Sequence, residues 1–263
     1  MLICTYVDGG RRGHGRVEGE RVVPVEYDQG GRRWVERPGL ARSIGEIRLL
    51  PPAEPSKIAC LALNYPPASG PAAGNAVVLK PPSLAAPDDP VVHPEGPWEL
   101  RHEAELAVVI GMRCRRVRAG DAADVVAGYT CANDITAYAP FPVLWAKHFD
   151  GLTPLGPWLA TDLDPDNVEI TCTVDGVTRQ RGSTRDLLKS VHEVIASVSE
   201  HTTLLPGDVI LTGTPAGSGP LHPGDLVEVS ITGIGTLRNT VASGRAMAGS
   251  GASGGGQPRD ATH

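Results

Sequence analysis

Two glutamates separated by one alanine open the most strand-like stretch of the sequence, RHEAELAVVIG at residues 101–111. Side chains alternate across a strand, so Glu103 and Glu105 share one face with Ala107 and Val109, while Leu106, Val108 and Ile110 take the other. Two neighbouring carboxylates on an otherwise apolar strand repel each other and lose hydration, and a cation between them relieves both costs. On this stretch alone, an acidic strand facing water is an equally good reading. Asp134, in the apolar run CANDITA, adds a third carboxylate. A lone aspartate in such a run is more often a turn or capping residue. Beside the glutamate pair it becomes a third oxygen donor. Three carboxylates completed by waters suit Mg²⁺, with Mn²⁺ second, and zinc fits such a set poorly.

Two further pieces carry polar groups in suitable company. Lys147 lies among aromatic residues in WAKHFD, just before TPLGPW. A lysine in that setting commonly snorkels to the surface. Next to a metal it can instead pair with a substrate carboxylate or enolate oxygen. The segment LTGTPAG, residues 211–217, is small and glycine-bearing. Its backbone N–H groups and the Thr214 hydroxyl can hold a carboxylate, although a plain tight turn is as good a reading of the loop alone.

These groups need a frame of short strands. The 32 glycines and 24 prolines point to many turns. Strands are expected at Leu2–Val7, Arg21–Val25, Lys57–Leu63, Val77–Leu79, Glu103–Gly111, Ala127–Ala137, Val168–Val174, Val209–Thr212, Leu226–Ile231 and Gly235–Asn239. Asp8-Gly9-Gly10 and Asp175-Gly176 mark hairpin turns. Helices are expected near Gly39–Leu49, at Gly120–Val126 and, as the longest, over Thr184–Leu204, where Leu187, Leu188, Val191, Val194, Ile195 and Val198 recur at helical spacing. The sum is a strand-dominated α+β chain: a small N-terminal β domain over residues 1–50, a catalytic domain over 51–243, and a Gly/Ser-rich tail over 244–263 expected to be disordered.

Composition removes several function classes. The net charge is −6 with 4% aromatic residues, so there is no electrostatic or stacking footprint for nucleic acid. No segment approaches the roughly 20 apolar residues of a membrane helix, and the N-terminus has no apolar secretory core. The five cysteines are scattered and form no CxxC pair, which speaks against a disulfide framework or a zinc site. The expected location is the cytoplasm.

Taken in order, HEAELAVVIG, AGYTCANDITA, AKHFDGLTPLGPW, VDGVTRQ, LLPGDVILTGTPAG and PGDLVEVSITGIGTLRN resemble the fumarylacetoacetate hydrolase family across about residues 57–242. The resemblance implies a mixed β-sheet roll with flanking helices, a homodimer, and Mg²⁺ or Mn²⁺ held by Glu103, Glu105 and Asp134. It makes Lys147 the catalytic lysine and places Thr214, Gln180 and Tyr138 at the substrate. It implies small 2-oxo acids, β-diketo acids or their enols as substrates, with the metal stabilising an enolate.

Two departures shape the expected reaction. The family's N-Y-x-x-H-x-x-E pattern reads Asn64-Tyr65-Pro66-Pro67-Ala68-Ser69-Gly70-Pro71, so Ala68 and Pro71 stand in place of the His–Glu base. In N-D-x-x-A-R-D, Tyr138 and Ala139 replace the Arg and Asp. Decarboxylation or enol–keto tautomerisation, which asks less of a base, is therefore favoured. The alternatives are C–C hydrolysis with a substitute base such as His102 or His148, and a non-catalytic binding or assembly subunit.

Overall fold

The computed structural model describes residues 1–28, 33–67, 76–139 and 146–244. The positions of Ala68 and Pro71, and the tail beyond residue 244, lie outside these. The N-terminal strands are β1 (Leu2–Asp8), β2 (Arg11–Glu18), β3 (Arg21–Asp28), β4 (Arg33–Glu36), β5 (Arg42–Ser43) and β6 (Arg48–Leu50). Next come β7 (Ile58–Ala62), β8 (Ala76–Lys80), β9 (Val91–His93), β10 (Glu99–Arg101), β11 (Ala104–Ile110), β12 (Val126–Asn133), β13 (Thr136–Tyr138) and β14 (Leu155–Ala160). The chain continues through β15 (Glu169–Val174), β16 (Val177–Ser183), α1 (Val191–His201), β17 (Val209–Leu211), β18 (Pro220–Leu221), β19 (Leu226–Ile231) and β20 (Gly235–Ser243).

Among the described residues these strands form three sheets. The largest has twelve strands and runs β4-β3-β2-β1-β14-β12-β11-β17-β7-β8, with β5 and β6 joined at β3 and β1. A five-stranded sheet runs β16-β15-β19-β20-β9, and a three-stranded sheet runs β13-β10-β18. The fold is strand-dominated α+β. β1 pairs antiparallel with β14 through Leu2 and Ala160, so the strands of the first fifty residues extend the main sheet. At the β1–β2 hairpin, Gly9 and Gly10 both take positive φ, the backbone a two-residue turn of this hand requires.

The alternation read from the sequence holds along β11. Ala104, Leu106, Val108 and Ile110 enter the larger apolar core, and Ala107 and Val109 enter a second core on the opposite face. β11 is buried along its whole length between β12 and β17. Glu105 is thus fixed on the interior of a wide sheet.

The helix expected at Gly120–Val126 is present as a 3₁₀ helix, Ala119–Val125. Two expected elements are corrected. The helix expected near Gly39–Leu49 is instead β5, a 3₁₀ turn at Ile44–Glu46 and β6. The long helix expected over Thr184–Leu204 is a 3₁₀ turn at Thr184–Asp186, an extended link, and then α1. Two interactions break it. Ser190 and Glu193 close a reciprocal capping box that starts the helix at Val191. Just upstream, Asn64 clasps the link, accepting from the N–H of Leu188 on its backbone oxygen and from the N–H of Lys189 on Oδ1.

Candidate active site

The strand expected over Ala127–Ala137 divides into β12 and β13 with a break at Asp134 and Ile135, and this break builds the site. Asp134 N–H donates to the carbonyl of Glu103 at 2.8 Å, stitching the two segments together where each leaves its strand. Glu103 sits immediately before β11 rather than within it, and its N–H donates to Asn133 Oδ1 at 2.9 Å. One ligand oxygen from each of Glu103, Glu105 and Asp134 can be chosen so that all lie within 4.8 Å of one another. Glu105 and Asp134 are buried and Glu103 is largely so.

The electrostatics explain the cost of this cluster and what offsets it. Burial first, and then the nearby charges of Asp134 and Glu103, push the Glu105 carboxyl well above the usual carboxylate range, against the opposing pull of Lys147. Glu105 Oε2 accepts from Gly213 N–H at 2.6 Å. Gly213 has φ +107, and a Cβ there would lie 2.9 Å from the Asn64 Cβ, so glycine is what lets the loop reach this carboxylate. Burial also pushes Asp134 upward, but Lys80 and Lys147 outweigh it and hold that carboxyl below its ordinary value. Lys147 donates to Glu103 Oε2 at 2.8 Å and to Asp134 Oδ2. Burial opposes its charge, but the three carboxylates overcome this and raise its pKa. Thr136 Oγ1 holds the other oxygen of Glu103 at 2.7 Å.

Lys80 is the site residue that sequence reasoning did not assign. Its side chain is fully enclosed, and its ammonium donates to Asp134 Oδ1 at 2.6 Å, to the Leu152 carbonyl at 2.8 Å and to the Ile135 carbonyl at 3.1 Å. The signal available was a lysine ending an apolar strand, a pattern shared with many surface strands.

The three carboxylates, Lys147, Thr214 and Tyr138 line one cavity of about 460 Å³. Gln180 does not face it. This glutamine is buried behind Thr214, where Nε2 donates to Thr214 Oγ1 at 2.8 Å and to the Pro215 carbonyl at 2.7 Å. Its Oε1 accepts from Ala104 N–H at 3.1 Å, which fixes the amide orientation and requires His102 to donate from Nδ1, 2.9 Å away. Thr214 passes its own hydroxyl proton to the Ala104 carbonyl at 2.8 Å. Burial holds the His102 imidazole below its usual pKa, with the Gln180 bond opposing. Neither His102 nor His148 lines the cavity.

An all-oxygen donor set, a charge cluster in which burial and two neighbouring carboxylates push the Glu105 carboxyl upward, and convergent polar groups in one cavity define a site suited to a divalent cation and to an anionic substrate. The chain belongs to the fumarylacetoacetate hydrolase family: the model of the fumarylacetoacetate (FAA) hydrolase C-terminal domain matches residues 57–242. It is an enzyme of that family. A mitochondrial oxaloacetate tautomerase of Homo sapiens is 38% identical over 229 residues, covering 78% of this chain and 72% of the relative. The crystal structure of 2-hydroxyhepta-2,4-diene-1,7-dioate isomerase from Mycobacterium marinum superposes with a TM-score of 0.84 at 32% identity, covering 93% of this chain and 99% of that one. Maleylpyruvate hydrolase from Sphingobium sp. SYK-6, in complex with manganese (II) ion and pyruvate, gives a TM-score of 0.80 at 30% identity over 93% of this chain and all of that one.

Proposed function

We propose that this enzyme uses Mg²⁺ or Mn²⁺ to carry out enolate chemistry on a small 2-oxo acid or β-dicarbonyl acid, by tautomerisation, isomerisation or decarboxylation. The observation that carries this reading is the convergence of Glu103, Glu105 and Asp134 with the Lys147 ammonium in one cavity. Glu103, Glu105 and Asp134 would hold the cation. When bound, it supplies Lewis-acid stabilisation of negative charge on a substrate oxygen. Lys147 stays protonated among its carboxylates and offers N–H donors to a developing enolate oxygen. Thr214, its proton committed to Ala104 and one lone pair to Gln180, has a remaining lone pair that can accept only from a substrate donor such as the O–H of an enol. Tyr138 walls the cavity. We also read the protein as a cytoplasmic homodimer acting on a free small molecule.

C–C hydrolysis is the second reading, supported by similarity to a maleylpyruvate hydrolase. It requires a base, and the two histidines proposed from the sequence are placed outside the cavity lining.

Isothermal titration of Mg²⁺ into EDTA-stripped protein, with and without oxalate as an enolate mimic, tests the proposal. Binding tightened by oxalate and lost in Asp134→Ala is the expected result. Absence of metal binding in both titrations would overturn it.

A further inference from the structure

The alternation that aims Glu103 and Glu105 into the cavity continues one step further back. Arg101, Glu103 and Glu105 all line it, whereas His102 and Ala104 point away toward Gln180. Arg101 ends β10, in the small sheet β13-β10-β18 that forms one wall of the cavity. Two residues of extended backbone put it about 7 Å along the chain from Glu103. Its guanidinium carbon lies 5.6 Å from the centre of the Tyr138 ring. Tyr138 occupies the position where the family pattern carries arginine, so a guanidinium reaches this wall from the neighbouring strand and rests on the ring.

Arg101 is poorly satisfied for so polar a group. Its charge partner is Glu99, itself a half-exposed side chain, with Oε1 3.1 Å from Nε. The Nε–H is not aimed at that oxygen and remains a buried donor without a hydrogen bond. Lys147, by contrast, gives two of its three N–H donors to Glu103 and Asp134. Among the described residues of the cavity wall, Arg101 is therefore the cation that can offer two parallel hydrogen bonds, the match for a carboxylate.

Resting on the proposed oxo-acid site, we infer that Arg101 is a specificity-determining residue that binds a second carboxylate, and that the substrate is a dicarboxylate. The oxo-acid head lies over Glu103, Glu105 and Asp134. The distal carboxylate, a few carbons away, pairs with the Arg101 guanidinium above Tyr138.

The test is calorimetric titration of Mn²⁺-loaded protein with pyruvate, which carries only the head, and with 2-oxoglutarate and 2-oxoadipate, which add a distal carboxylate. The wild-type enzyme should bind at least one diacid about tenfold or more tighter than pyruvate, the value of one charge-assisted pair. In Arg101→Gln that preference should fall to within about twofold, and Arg101→Lys should restore part of it. Melting temperatures of both variants check that each is folded. A diacid preference that persists in Arg101→Gln, or is absent from the wild type while pyruvate binds, overturns the role of Arg101 and leaves the oxo-acid site standing. Failure of the wild type to bind pyruvate and both diacids overturns the site reading and this inference together.

Discussion

The carboxylate triad was legible residue by residue because each member breaks a local rule. Glu103, Glu105 and Asp134 are acids in apolar runs, and acids in such places need a partner. Lys80 breaks no rule in the sequence. It ends a strand next to a proline, and its partner Asp134 lies 54 residues away, so only the fold brings them together. Gln180 was legible as important but not in its placement. The family resemblance puts it at the substrate, yet every polar atom of its amide is spent on Ala104, His102, Thr214 and Pro215. Gln180→Leu should therefore act through Thr214. It leaves Ala104 N–H unpaired and His102 Nδ1 with only the Cys172 sulfur, at a cost of about 2 kcal/mol. Without the amide behind it Thr214 loses its fixed place in the cavity wall, so oxalate should bind several-fold more weakly to the Mn²⁺-loaded variant, while Mn²⁺ itself binds as before because Gln180 touches no carboxylate of the triad. Parallel titrations of metal and of oxalate separate the two effects.

Among elements, strands were read well and helices were not. β11, β15 and β19 show their periodicity in their own residues. The end of the expected long helix depends on Asn64, more than a hundred residues upstream, which clasps Leu188 and Lys189 into an extended link. The turn before β17 shows how a short motif ties elements together. Asp208 is fully buried there. It accepts from Leu205 N–H, Ser56 N–H, Ser56 Oγ and Lys57 N–H, and pairs with the Lys57 ammonium, locking the parallel strands β7 and β17 at their starts. Burial pushes its carboxyl up, but Lys57, Ser56 and Leu205 prevail and hold it below the ordinary value. The unfolded chain then binds the proton more readily than the folded one. The stabilisation from Asp208 is full above the unfolded pKa of about 3.9 and is lost as pH falls through the lower folded value. Asp208→Asn should cost about 3 kcal/mol at pH 7. Thermal melts should show the gap between wild type and variant narrowing below about pH 4.

For the molecule as a whole, the strand-dominated architecture and the family were legible from the order of motifs. The extent of the main sheet was not, since the pairing of Leu2 with Ala160 joins residues from distant parts of the chain. Bringing three carboxylates together where β11 begins and β12 ends makes global stability responsive to the cation. At a free concentration about 1,000 times Kd, Mn²⁺ should add about 4 kcal/mol. For a chain of this size that is a rise in melting temperature of about 8–16 °C. Scanning calorimetry of EDTA-stripped and Mn²⁺-loaded protein measures it, and Glu105→Gln should abolish the difference.

The cavity draws its floor and one of its walls from different sheets. Glu105 belongs to β11 in the twelve-stranded sheet, whereas Arg101 and Tyr138 belong to the three-stranded sheet β13-β10-β18. Mutational drift in the small sheet can redirect which acids are accepted while the cation-holding strand keeps its sequence. After a gene duplication, two copies can diverge in diet before they diverge in chemistry. A laboratory library confined to β10 and β13 would explore new substrates on an inherited reaction.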